Sequence, residues 1–297
     1  MGALLLGNPL TKYSIIDGQQ RCGAIFQYIA NNYKLKESLL DNKNHRKEYV
    51  KDRLFKDLEV EDKKAIWSYV FSIRIVKNQV ERDSIVDMFL RLNSNNLTLN
   101  PQELRNAEFI GEFMKVYEYL SGLKFWDDNK LFGIADRRRM RDISFVSTLL
   151  VFLKEGIEGD ISNESLNRIY DLYNDEYPDK ENDISIFKSI IKDIGRIIDN
   201  KNERIKILKR TVHFYSLFTV LYELTITDEL LSDFHIKNYR NFIDNYNNDE
   251  LLDKYYPNSI YEIFSYKALV KEGTRQKFNR TQRHNNLLKI MKYDADI

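Results

Sequence analysis

Apolar residues recur at helical spacing in one segment after another through residues 100–297, and this periodicity constrains the fold more than any other feature. It predicts helices over about Pro101–Leu120, Arg141–Leu153, Asn163–Tyr173, Ile184–Asp199, Ile205–Leu224, Ile236–Asn245, Ser259–Lys271 and Arg275–Tyr293. Only four prolines and eleven glycines interrupt the 297 residues, so breaks are few. The first of these helices has a defined start. Asn100 is a good N-cap, Pro101 suits the first helical position, and Glu103 can reach back to the cap amide.

The first third mixes periods. Tyr13–Ile16 reads as a short strand, Asp17-Gly18 as a turn, and Gln19–Asn31 as a helix with Cys22, Ile25, Phe26 and Ile29 on its apolar face. Lys34–Lys51 is polar and Lys-rich, a solvated helix or loop. Ser68–Lys77 alternates cleanly and predicts a strand. Val80–Leu92 predicts a helix, and Asn93–Leu99 breaks it. The expected fold class is α+β and helix-dominated, with a small α/β domain over residues 1–99 and an all-helical domain over residues 100–297.

Composition excludes several classes. Forty-six basic against forty-five acidic residues give a net charge of +1, so no global field draws the chain to nucleic acid. The longest apolar runs fall far short of the ~18 residues that suggest a bilayer span. Cys22 is the sole cysteine and the four histidines are scattered, which excludes an internal disulfide and a zinc cage. A reduced, cytoplasmic setting is the expectation. Charge is unevenly placed, however. Glu155–Asp183 holds ten acidic residues against Arg168 and Lys180, and Tyr266–Tyr293 holds eight basic residues against Glu272. The basic stretch can track a nucleic-acid backbone through Lys277, Arg280 and Arg283, or neutralise the acidic segment within the fold. Arg137, Arg138, Arg139 and Arg141 form a second basic cluster, in which Arg138 and Arg139 are candidates for phosphate contact.

Chemistry concentrates at Asp17-Gly18-Gln19-Gln20-Arg21. A strand feeding a glycine turn into a helix presents backbone amides at the helix N-terminus, where the dipole favours anions. Gly18 permits close backbone approach, Gln19 and Gln20 add donors, and Arg21 can fork onto phosphate oxygens. Asp17 fits beside a phosphate only if it binds a bridging Mg²⁺ or acts on a water. A plain capping turn explains the same five residues. Likewise, Cys22 reads as a small core residue, and His213 as a hydrogen-bonded core histidine in the apolar Thr211–Leu224 segment.

Ile16-Asp17-Gly18-Gln19-Gln20-Arg21 resembles the signature of the GmrSD-type restriction endonuclease N-terminal domain family, itself similar to the ParB/sulfiredoxin fold. Phe89 to Asn93, followed by Leu99, Glu103, Arg105, Asn106 and Ala107, looks like that family's second block. Arg138-Arg139-Met140-Arg141-Asp142 is similar to a further element. The resemblance runs from about Lys12 to Ala107 and is weak to about Leu153. It implies a nucleotide-binding, often NTP-hydrolysing module of bacterial defence against phage or modified DNA, with GTP, CTP and ATP all open and Mg²⁺ as the accompanying ion. Asp17 and Arg21 would be catalytic, with Asp17 also the metal ligand. Gly18, Gln19, Gln20 and Arg21 would bind the nucleotide, supported by Asn93, Glu103, Arg105 and Asn106.

Nothing before Lys12 matches the family's upstream aromatic element, and the apolar start at Met1–Leu6 reads as a domain interior. Missing upstream sequence and an incomplete pocket are therefore expected. The histidines do not form the His-Asn-His nuclease that many relatives carry or pair with, so no DNA cleavage is expected from this chain alone. Its partners would be a nucleotide, DNA and a separate nuclease subunit, with no membrane. The rival reading is a non-catalytic DNA-binding or scaffold protein with a vestigial nucleotide site.

Overall fold

A computed structural model describes residues 2–8, 12–36, 47–76, 100–109, 111–227 and 231–294. The chain divides into two units, Met1–Thr98 and Leu99–Ile297. Helices dominate the described residues.

In the first unit, β1 (Gly2–Asn8) lies between β2 (Lys12–Asp17) and β3 (Ser72–Val76). It pairs antiparallel with β2 and parallel with β3, where Gly2 faces Ser72 and Leu6 faces Val76. A register shift marks the β1–β2 ladder: Leu5 faces Ile15 and Leu4 faces Asp17, so Ile16 is the extra residue of a bulge. Helix α1 (Gln19–Ile29) follows at once, and α2 (Lys47–Val50), a 3₁₀ turn (Phe55–Asp57) and α3 (Val60–Trp67) complete the described part. A small core joins Tyr28, Val50 and Leu58, with Tyr33, Leu35, Phe55 and Ile66 packed on it.

Two strand readings shift. The predicted β2 extends by one residue at each end. Among the described residues of the alternating Ser68–Lys77 run the strand covers Ser72–Val76, and it starts late because Ser68 closes α3 by donating its amide to the Lys64 carbonyl (2.8 Å). The helix read at Val80–Leu92 and the break at Asn93–Leu99 lie outside the described residues.

The second unit is helical: α4 (Pro101–Glu108), α5 (Glu112–Ser121), α6 (Lys124–Asp128), α7 (Ile134–Arg138), α8 (Arg141–Glu155), α9 (Asn163–Leu172), α10 (Lys180–Ile198), α11 (Asn202–Leu208), α12 (Thr211–Ile226), α13 (Asp233–Asp244), α14 (Asp249–Tyr255), α15 (Ile260–Leu269) and α16 (Lys277–Met291). Helix α12 is apolar nearly all round and sits at the centre, with His213, Phe214, Leu217, Phe218 and Leu221 buried. Trp126, Phe125 and Phe145 pack on Phe214, and Phe152 and Phe187 pack on Phe218. Each such side chain contributes roughly 1.5–3 kcal/mol by leaving water, and this aromatic layer fixes the surrounding helices.

The predicted Pro101–Leu120 helix is two helices. Gly111 lies between them, and the amides of Glu112 and Phe113 turn to the carbonyls of Asn174 (2.8 Å) and Tyr173 (3.1 Å). A Cβ at Gly111 would sit 1.9 Å from the Asn174 oxygen, so only glycine permits that approach. The predicted Ile205–Leu224 helix likewise splits, into α11 and α12. Short α6, α7 and α14 escaped the periodicity reading because five to seven residues carry too little of a repeat.

Candidate functional site

The Asp17–Arg21 motif occupies the turn from β2 to α1. Gly18 is buried and left-handed (φ 92°, ψ 5°), a conformation that suits glycine because it lacks a Cβ. It is the N-cap of α1 and offers no capping side chain, and its carbonyl accepts the Cys22 amide at 2.9 Å. The turn thus presents the N-terminal end of α1, where the helix dipole is positive. The bulge at Ile16 immediately before the turn is the kind of irregularity that re-aims a chain next to a site. Arg21 and Cys22 are half-buried. Asn93 lies outside the described residues.

In the second unit, Glu103, Arg105 and Asn106 gather on α4 with Arg139. Asn100 caps the helix, its Oδ1 accepting the amides of Gln102 (2.9 Å) and Glu103 (3.0 Å), while Glu103 Oε2 accepts the Asn100 amide (2.8 Å). The capping box read from sequence is thus present. Asn100 Nδ2 also donates to the Arg139 carbonyl (2.8 Å), and Arg139 Nη1 lies 3.4 Å from Glu103 Oε1. Glu103 is committed to the cap and to this pair.

Arg105 is 2% exposed. Its Nε donates to Gln102 Oε1 (3.1 Å), its Nη1 to Asn167 Oδ1 (3.2 Å) and Asn163 Oδ1 (3.4 Å), and the guanidinium lies 5.5 Å from the centre of the Tyr170 ring. All these partners are neutral, and among the described residues no carboxylate forms an ion pair with it. Burial pushes its pKa down from the ordinary arginine value. Asn106 Oδ1 accepts from Gln102 Nε2 (2.8 Å) and from the Tyr117 hydroxyl (3.1 Å), a positioning network under the helix.

The basic candidates separate. Arg138 is exposed and Arg139 half-buried. Lys277 is exposed and pairs with Glu158 at 2.9 Å. Arg280 and Arg283 are 2% and 1% exposed. Arg280 donates to the Gly159 carbonyl (2.6 Å) and the Tyr215 hydroxyl (3.3 Å), and Arg283 to the carbonyls of Thr274 (2.7 Å) and Leu269 (3.1 Å) and to Ser216 Oγ (3.3 Å). These two guanidiniums tie backbone segments together inside the helical unit, which removes them from any nucleic-acid surface. The basic C-terminal stretch meets the acidic segment through the Lys277–Glu158 ion pair and the Arg280 bond to the Gly159 carbonyl, while Lys267 and Lys289 pair with Asp249 and Glu262 outside that segment.

Among the described residues, no group of three or more His, Cys, Asp or Glu side chains is placed to hold a metal. No helix among them is long and apolar enough to cross a membrane. Sequence reading missed Ser144, Asn163 and Arg275, which line one small cleft with Arg105, Arg139 and Arg141. They come from distant segments, and only the arginine run at 137–141 signalled that a basic site was near.

A bulged strand, a left-handed glycine and a helix start meet at the β2–α1 turn of the first unit. A model of the GmrSD restriction endonuclease N-terminal domain matches residues 1–110. The match takes in the segment before Lys12 as well as the Gly18 turn and α4. No curated protein and no solved structure matches the chain.

Proposed function

We propose that the chain is a nucleotide-binding component of a restriction system, with the phosphates held at the turn between β2 and α1. The observation that carries this reading is the left-handed Gly18 at the N-cap of α1, within a stretch assigned to the GmrSD N-terminal domain family. The N-terminus of a helix is where the helix dipole favours an anion. In this reading Gln19, Gln20 and Arg21 bind and orient the phosphates, and the ParB/sulfiredoxin-like arrangement is the frame that presents them.

Asp17 closes β2 one residue before the turn. A single carboxylate together with phosphate oxygens is an ordinary way to hold Mg²⁺, which keeps most of its ligands as water and phosphate. In this reading Asp17 is the carboxylate that would meet the ion beside the phosphates. When bound, it would neutralise charge on the phosphates. Asp17 would hold it or orient a water, and Arg21 would stabilise charge on the outer oxygens. Glu103 and Asn106 serve α4 by fixing its cap and its underside. Contacts to DNA, in this reading, fall to exposed Arg138 and Lys277 rather than to Arg280 and Arg283. DNA cleavage belongs to a separate nuclease subunit.

Thermal unfolding of the full chain tests the reading. A nucleoside triphosphate with Mg²⁺ should raise the midpoint, by about 2.7 kcal/mol of stability at a hundredfold excess over Kd, and Arg21→Ala should abolish the rise. Equal midpoints with and without any of GTP, CTP and ATP would contradict it. Phosphate release at saturating nucleotide, measured alongside, tells a binding module from an NTPase.

A further inference from the structure

We draw no further inference here: the strongest candidate, the cleft of about 280 Å³ between α11 and α13 lined by Arg204, Lys237, Arg240, Asn241 and Asp244, carries nothing, because its two guanidiniums are committed to the Asp244 carboxylate and to the carbonyls that end α10, and nothing in the structure shows what covers it.

Discussion

Gly18 and His213 show how single residues carry the account. Gly18 stands at φ 92°, and a Cβ in that region costs roughly 1–2 kcal/mol. Gly18→Ala should lower the unfolding free energy by about that amount in urea titrations followed by circular dichroism, and an unchanged midpoint would contradict the turn geometry. His213 is buried on α12, its Nδ1 3.0 Å from the Tyr266 hydroxyl and its ring edge-on to Tyr246. Burial, aided by the charges of Arg210 and Arg283, pushes its pKa down to about 3 from the ordinary 6.5. Between those values the unfolded chain takes up a proton that the folded one refuses. Stability therefore rises with pH across that window and falls toward acid, with a slope of up to about 1.4 kcal/mol per pH unit from this group. Because carboxylates also titrate there, the measurement is a comparison: His213→Gln should flatten the wild-type loss of stability between about pH 6 and pH 4, and parallel curves would contradict it.

At the level of elements, α4 is the best-defined helix start in the chain. Its cap holds two amides and the Arg139 carbonyl together, so Asn100→Ala should cost about 1 kcal/mol in chemical denaturation, and Asn100→Asp less, because it keeps the capping oxygen. A loss equal for both would mean that the tie to Arg139, rather than the cap, carries the stabilisation. This start was legible in sequence because capping is local chemistry: Asn100, Pro101 and Glu103 sit within four residues. The end of α4 was not legible. Periodicity continues past Phe109, and the break exists because the chain at Gly111 closes against Asn174, a contact across more than sixty residues. The strand at Ser68–Lys77 was overlong for a related reason. Alternation persists to Ser68, but the helix preceding it claims the first residues.

Across the whole molecule, the division of labour between charged segments was only half readable. Composition showed a basic C-terminal stretch but could not tell surface from interior, since Arg280 and Arg283 look no different in sequence from exposed arginines, and the carbonyls they bind lie on other elements. The family, by contrast, was readable from two ordered motifs, and residues 1–110 match it. The central claim remains that the turn at Gly18 holds the phosphates of a nucleotide. Calorimetric titration of the full chain with a nucleoside triphosphate and Mg²⁺, run in parallel on Arg21→Ala, tests it most directly. The account predicts saturable binding by the wild type that Arg21→Ala weakens by about tenfold or more. Wild-type titrations flat for GTP, CTP and ATP, or isotherms that superimpose for the two proteins, would contradict it.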